Sequence, residues 1–248
     1  MSGHNKWSTI KHRKGAQDAK RSKIFTKIIK ELTVAARVGG GDPDGNPRLR
    51  RALDLARSAN MPGDNIERAI KKGTGELEGV NYEELVYEGV GPAGSLFVMN
   101  VVTDNRNRTA SEVRKIFDKH NGQLGASGSA AWAFEEKGVI KLPKDAATEE
   151  ELFELAVGAG AEDIEADDEQ WTITTPRDEL DVVRTALENA GKATASAALA
   201  QIPKTPKEVS GSDASLLVRL ADVLDDHDDI QEVFTDFELS EEALAALT

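Results

Sequence analysis

Cysteine is absent from the 248 residues, and aromatic residues make up only 5% of them. Without cysteine the chain can form no disulfide, no thiolate metal site and no cysteine nucleophile, which suits a reducing cytoplasm. No run of eighteen apolar residues occurs, so no membrane-spanning helix is predicted. The basic N-terminus is not followed by an apolar stretch and does not resemble a secretory signal. The sequence therefore predicts a cytoplasmic protein with small cores and no membrane partner.

The charge is unevenly distributed along the chain. The formal net charge is −13, yet residues 1–75 contain 17 Lys or Arg and 7 Asp or Glu, a net charge of +10. Residues 76–248 therefore carry a net charge of −23. Such segregation lets one end of a molecule attract a polyanion while the other end is repelled by it. A domain boundary is predicted near residue 75 on these grounds.

The first thirty residues carry the strongest functional signal, with nine Lys or Arg and one acid, Asp18. Lysines and arginines bind phosphates additively, and Trp7 and His12 could stack on unpaired bases. A merely solvated cationic face usually mixes both signs of charge, so polyanion binding is favoured. A second cationic group lies in the following helices, where some members must simply form a solvent face. The predicted nucleic-acid-binding residues are Lys6, Trp7, Lys11, His12, Arg13, Lys14, Lys20, Arg21, Lys23, Lys27, Lys30, Arg48, Arg51, Lys71 and Lys72.

The hydrophobic periodicity predicts an α+β protein in three parts. Residues 1–75 are an arm followed by three helices, from about Ala16, from Pro47 and from Pro62, with Gly73 as the last C-cap. Residues 76–137 with 205–248 form an α+β domain, and residues 138–204 form an inserted βαββαβ domain of the ferredoxin-like type. Separate strands are predicted at AAWAFEE and VIKLP. The fold prediction is thus a three-helix bundle plus two ferredoxin-like domains, one inserted in the other.

The loop TDNRNRT is a further cationic feature in an acidic region. Its central four residues are Asn105, Arg106, Asn107 and Arg108, and Thr109 or Ser111 is predicted to cap the helix that follows. The loop is either a capping loop with two exposed arginines or a distal contact to the same polyanion or to a partner. The residues leave both interpretations open.

No catalytic or metal-binding pattern is found, and neither an enzymatic activity nor a cofactor is predicted. GVGPAG at 89–94 matches G-x-G-x-x-G, but a strand follows it where a dinucleotide site needs a helix. The four histidines are scattered, and the DDHDD cluster at 225–229 lacks the spacing of a calcium loop. That cluster is predicted to cap a helix end in solvent.

Several motifs closely resemble the YebC/PmpR family. They are GH-x-KW-x-x-I-KHRK at 3–14, AQDAKR at 16–21, IFTKIIKELTVAAR at 24–37, GGGDP at 39–43, NPRLR at 46–50, NMP-x-DNIERAIKKG at 60–73 and TDNRNRT at 103–109. Members of this family are labelled probable transcriptional regulatory proteins, and the mitochondrial translational activator of cytochrome c oxidase is a relative. The resemblance implies a helical domain with two α+β domains, no enzymatic activity and no cofactor.

The family resemblance implies a non-enzymatic, nucleic-acid-binding regulator of gene expression that binds DNA. The alternative is a ribosome-associated translation factor that binds ribosomal or transfer RNA through the basic arm and relieves stalling, for example at proline runs. No clear helix-turn-helix is visible, and a flexible arm suits irregular RNA. An adaptor whose acidic domains bind a basic protein is a third possibility. No small-molecule substrate is predicted.

Overall fold

Residues 17–247 are described here from a computed structural model. They divide into two compact units, residues 17–135 with 202–247 and Glu136–Gln201, so that the second unit is inserted in the first. The predicted α+β class is confirmed, with N-terminal helices followed by antiparallel sheets. Because this division has two parts, the three-part division of the sequence stays a prediction. No described helix is long and apolar enough to cross a membrane.

The first unit begins with three helices, α1 (Gln17–Gly39), α2 (Pro47–Ser58) and α3 (Gly63–Thr74). Their apolar faces meet in one core, which includes Leu32, Ala35, Leu49, Ala52 and Ala69. Asn46 caps α2, since its side chain accepts a hydrogen bond from the Leu49 amide. The same side chain donates to the carbonyl of Ala35 at 2.8 Å, which fastens the α1–α2 turn. The three predicted helices are thus present, and each begins within a residue of its predicted start.

Gly73 has a different role from the predicted one. Helix α3 continues to Thr74, and the left-handed C-cap is Gly75, with φ of 85°. A Cβ atom on Gly73 would lie 2.4 Å from the carbonyl oxygen of Thr33 on α1. Glycine is therefore required at position 73 because two helices approach closely there, and not because the helix ends there.

A four-stranded antiparallel sheet follows in the same unit, in the order β3-β1-β2-β9. Its strands are β1 (Glu83–Val90), β2 (Leu96–Thr103), β3 (Gln123–Leu124) and β9 (Ile230–Thr235). Helices α4 (Arg106–Lys119) and α7 (Gly211–Asp225) pack on one face. Their core includes Phe97, Met99, Phe117, Leu217 and Leu220, all essentially inaccessible to solvent. Strands β8 (Lys207–Val209) and β10 (Phe237–Leu239) form a separate parallel pair, and α8 (Glu241–Leu247) ends the described chain.

The inserted unit has the predicted βαββαβ order. Strand β4 (Phe134–Pro143) leads into it, followed by α5 (Glu149–Leu152, extended by a π-helical segment, Phe153–Val157), β5 (Asp163–Ala166), β6 (Gln170–Pro176), α6 (Leu180–Asn189) and β7 (Ser196–Pro203). The sheet order β5-β6-β4-β7 is the ferredoxin-like order. The two helices supply Leu152, Leu180 and Leu187 to a core with Ile140 and Ile173 of the sheet.

Two details of the strand prediction need correction. The segments AAWAFEE and VIKLP are not two strands, because β4 runs continuously from Phe134 to Pro143 after a single 3₁₀ turn at Ala131–Ala133. Strands β3, β8 and β10 were not predicted. Each has two or three residues, which is too short for an alternating pattern to be recognised.

Candidate nucleic-acid interface

The basic arm itself lies outside the described residues. This applies to the predicted positions Lys6, Trp7, Lys11, His12, Arg13 and Lys14. Lys20 is in α1, but its side chain also lies outside the described part of the chain. Their binding to nucleic acid stays a prediction. The structure does place the remaining predicted residues.

Lys23, Lys27 and Lys30 lie on one face of α1, as their spacing predicts, but that face is turned toward the protein. Each lysine meets an aspartate of the DDHDD segment, which begins at the last residue of α7. Lys23 is 3.2 Å from Asp226 and Lys27 is 3.5 Å from Asp225. Lys30 is 2.5 Å from the Oδ1 atom of Asp229. The lysine stripe therefore attaches the first helix to the α+β part of the same unit.

Lys30 is the most completely enclosed of the three lysines. Only 6% of its surface is exposed. Besides the aspartate, its ammonium group donates to the carbonyls of Val102 at 3.2 Å and Asp228 at 2.8 Å. With all three ammonium protons directed at protein oxygens, Lys30 has no free donor for a phosphate in this arrangement. The structure thus favours a structural role for Lys30, and its predicted nucleic-acid contact stays a prediction.

The exposure of the lysine stripe increases toward the N-terminus of α1. The side chain of Lys27 is 17% exposed and also donates to the carbonyl of Asp225 at 2.6 Å, so it is held nearly as firmly as Lys30. Lys23 and Asp226 have side chains that are 41% and 62% exposed. Their ion pair is open to water and salt and can be exchanged for another anion. Of these three lysines, Lys23 is the one that retains an accessible charge.

Asp229 is the centre of this network. The DDHDD cluster does lie at a helix end, with exposed Asp226 as the C-cap of α7, but the predicted solvent position is wrong for Asp229. The residue is 4% exposed. It accepts hydrogen bonds from Arg108 at 2.8 Å and from Thr109 at 2.7 Å in addition to Lys30. Burial alone would raise the pKa of Asp229, but the hydrogen bonds from Lys30 and its neighbours outweigh burial and hold that pKa well below its usual range. Asp229 is thus an ionised, fully partnered structural residue.

The polar loop before α4 takes part in the same network. Asn105 caps the helix by accepting from the Arg108 amide at 3.1 Å, so the prediction of Thr109 or Ser111 as the cap is corrected. The Arg108 guanidinium bonds Asp104 at 2.8 Å as well as Asp229, and these two carboxylates raise its pKa. Its side chain is 43% exposed and these bonds use only its Nη2 atom, so its predicted distal contact stays a prediction. Asn105, Arg106 and Asn107 are exposed.

Arg48 is also occupied within the first unit. Its guanidinium makes a two-pronged contact with Glu31, at 2.7 and 2.9 Å, and a third hydrogen bond to Glu84 at 2.7 Å. The hydrogen bond with Glu31 is the main cause of a raised pKa, and the contact with Glu84 adds to it. Because the planar fork already engages two carboxylates, Arg48 connects α1, α2 and β1, and its predicted nucleic-acid contact stays a prediction.

The other predicted cations of the bundle differ in accessibility. Arg51 is half-buried and has an interaction within the protein. Lys71 pairs with Glu67 one turn earlier, at 2.5 Å, in an exposed position where such pairs are weak. Lys72 is exposed, and so is Arg21, whose guanidinium lies 5.4 Å from the centre of the Phe25 ring. Among the predicted residues of the described part of the three-helix bundle, the accessible cations are therefore Arg21, Lys23, Lys71 and Lys72.

A possible metal site at the network does not fit its surroundings. Glu112, His227 and Asp229 place ligand atoms within 4.8 Å of one another. However, two cations already lie against Asp229, and the Nδ1 atom of His227 accepts a hydrogen bond from the Asp229 amide at 3.1 Å. A divalent ion would have to displace these partners. The group is better explained as part of the salt-bridge network.

Sequence reasoning missed two features that the structure reveals. The first is the pairing of the lysine stripe with the DDHDD segment, about 200 residues away. The sequence shows three lysines at intervals of four and three residues, and it shows the four aspartates of DDHDD, but nothing in it connects the two groups. The second is Trp132, which is 67% exposed although its surrounding sequence is typical of a strand.

Comparison with known proteins identifies the family. Residues 5–76 match the TACO1/YebC protein N-terminal domain, and residues 82–237 match the TACO1/YebC second and third domain. A probable transcriptional regulatory protein of Geobacter sulfurreducens is 54% identical over 247 residues, covering 100% of both chains. One from Chlorobium chlorochromatii is 50% identical over 249 residues, again covering 100% of both chains.

A solved structure agrees with the fold. The crystal structure of a conserved hypothetical protein from Aquifex aeolicus superposes with a TM-score of 0.88 at 46% sequence identity. The match covers 96% of this chain and 98% of that one. The resemblance noted in the sequence motifs is thereby confirmed. With both family domains matched in order along its length, the chain belongs to the TACO1/YebC family.

Proposed function

We propose that this protein is a non-enzymatic regulator of gene expression that binds nucleic acid through residues 1–75. The observation that carries the proposal is the net charge of +10 on this segment in a protein whose total charge is −13. Relatives with half or more of their residues in common are named probable transcriptional regulatory proteins, which favours duplex DNA as the first target to test. The charge pattern would serve either DNA or RNA.

The structure narrows the residues on which this proposal depends. Lys27, Lys30 and Arg48 are neutralised by carboxylates within the first unit. Their charges stabilise the fold and add little to the field that a polyanion experiences. The proposed interface therefore consists mainly of the arm, with the exposed Arg21 and Lys72 as neighbouring contacts.

Reversing the arm charges tests the proposal directly. The variant carries four substitutions: Lys6→Glu, Lys11→Glu, Arg13→Glu and Lys14→Glu. Affinity is measured by fluorescence anisotropy against salt concentration, with a blunt DNA duplex and a structured RNA as separate probes. If the four cations contact phosphates, the slope of log affinity against log salt should fall by about 3 to 4 for the duplex. Thermal stability should remain nearly unchanged.

A matched control separates local contacts from total charge. Four exposed cations of the α+β part can be reversed together, giving the same change in net charge: Arg114, Lys115, Lys119 and Arg219, each to Glu. We expect this control to retain the salt slope of the wild type. Equal losses in the two variants would mean that only the overall charge matters. Unchanged binding in the arm variant would remove the proposed interface.

A further inference from the structure

Trp132 occupies an unusual position for a tryptophan. It lies on the 3₁₀ turn Ala131–Ala133, just before β4, and its surface is 67% exposed. Trp171, the other tryptophan in the described residues, is 5% exposed. A tryptophan contributes to folding mainly by burying its large ring, so Trp132 contributes little in this way. An exposed aromatic ring on a fixed backbone is a common means of binding a partner.

The turn that carries Trp132 is held by a buried carboxylate. Glu88 is 5% exposed and accepts hydrogen bonds from the amides of Gly128, Ala130 and Ala131, at 2.7, 2.6 and 2.7 Å. Burial alone would raise the pKa of Glu88, but these three donors outweigh it and hold the pKa below its usual range. The ionised carboxylate thus fixes the backbone immediately before the tryptophan.

The indole ring is oriented as well. Its Nε1–H group donates to the carbonyl of Ser129 at 3.1 Å. Beneath the turn, Ala130 and Phe134 pack with Val98 in a small core on β2 and β4. Because the indole donor already has a partner, the exposed part of the side chain offers ring surface and not a hydrogen bond. This favours stacking as its mode of contact.

Two lysines lie beside the tryptophan segment. The amide of Lys204 donates to the carbonyl of Ala133, and its ammonium group donates to the carbonyl of Trp132, both at 2.9 Å. Lys207, three residues further on, reaches the carbonyl of Ala93, and no acid lies between the two lysines. Glu135, at the start of β4, and Glu208, directly after Lys207, are exposed acids that a phosphate chain would have to avoid.

We propose that Trp132 is a stacking platform for an unpaired nucleobase, with Lys204 placed to contact the adjoining phosphate. Aromatic rings beside cations are the usual means of holding single-stranded nucleic acid, because every base has a face that can stack. The inference rests on the proposed function and adds to it a second contact, remote in sequence from the arm. It predicts that single-stranded regions of the bound nucleic acid are engaged by the α+β part of the first unit.

The test compares four full-length proteins, namely the wild type, Trp132→Ala, Trp132→Phe and the control Phe153→Ala. Phe153 is 63% exposed and lies in the inserted unit among Glu149, Glu150 and Glu154, so it is an exposed aromatic residue in acidic surroundings. The probes are a 12-nucleotide single strand of mixed sequence and the corresponding blunt duplex. We expect Trp132→Ala to weaken single-strand binding about ten-fold. Trp132→Phe should retain most of the affinity, and the control should retain all of it.

The possible results separate this inference from the proposed function. If Trp132→Ala binds the single strand as tightly as the wild type, or loses single-strand and duplex affinity equally, the stacking platform is overturned while the role of the arm stands. The first of these results would leave Trp132 as an anchor for a protein partner. If the wild type binds neither probe, the platform fails, and the proposed function fails with it only if the structured RNA is not bound either. Equal melting temperatures for the variants confirm that folding is not the cause.

Discussion

Removing the ammonium group of Lys30 should destabilise the first unit severely. In Lys30→Met the side-chain length is kept, but the buried carboxylate of Asp229 loses one of its two cations. Breaking a buried ion pair from one side costs about 3–5 kcal/mol, because the remaining charge stays in a poorly solvated site. Arg108 and Thr109 still bond Asp229, so the lower end, about 3 kcal/mol, is expected. Urea denaturation followed by circular dichroism measures this loss.

The pH dependence supplies an independent check of the same reasoning. The pKa of Asp229 is lower in the folded protein than in the unfolded chain, where it is about 3.9. The stabilisation from its ionised form is therefore present above about pH 4 and is lost as the pH falls through the folded pKa. In Lys30→Met the folded pKa should lie closer to the unfolded value. The difference in unfolding free energy between wild type and variant should consequently shrink as the solution is acidified.

Lys23→Met is the matched control, since it removes an ammonium group from the same helix face. The Lys23–Asp226 pair is largely exposed, so its loss should cost less than about 1 kcal/mol. Hydrogen exchange of peptides from α1 and α7 then shows whether the weakened region is the contact between the α1 lysines and the DDHDD segment. A loss in Lys30→Met as small as that in Lys23→Met would refute the interpretation of Lys30 as a structural residue.

Two further substitutions test local packing in the first unit. Gly73→Ala should lower the free energy of unfolding by about 1–3 kcal/mol, because the new Cβ would approach the carbonyl oxygen of Thr33 to 2.4 Å. Gly63→Ala is the control and should be tolerated, because open space surrounds that position. Thermal unfolding compares the two variants, and equal melting temperatures would contradict the close approach. Glu88→Gln should destabilise by about 1.5–3 kcal/mol, since three amides lose a charged acceptor, and chemical denaturation measures it. The loss of unfolding free energy should be largest near neutral pH, where Glu88 is ionised, and smaller in acid, once the pH falls below its lowered pKa. An equal loss at both pH values would show that the charge is unimportant.

Much of the fold could be predicted from local patterns. The helical repeat of Ile28, Leu32 and Ala35 fixed which face of α1 is buried, and the βαββαβ order of the inserted unit followed from the alternation of apolar segments. These features depend on residues close together in the chain. The short strands β8 and β10 could not be found in this way, because they exist only through their pairing with each other.

The candidate interface was less predictable, because accessibility depends on distant residues. The spacing of Lys23, Lys27 and Lys30 correctly predicted a common face, but a repeat cannot show what covers that face. Asp229 lies 199 residues from Lys30, and no local pattern connects them. For Trp132 the error has the opposite direction. Its apolar neighbours suggested a strand, but the residue lies on a 3₁₀ turn and its ring is exposed.

The difference between paired and accessible cations changes how the charge segregation should be interpreted. A net charge of +10 counts every cation in residues 1–75, including those already paired with acids beyond residue 75. Lys27 and Lys30 meet aspartates at and just after the end of α7, and Arg48 meets Glu84, so part of the positive segment is neutralised by the negative one. These pairs bind the helices to the α+β part, and nucleic-acid binding would compete with folding if it used them. The charges free of this constraint are those of the arm and of the exposed helix positions, which is why the arm variant and the Lys30 variant should separate binding from stability.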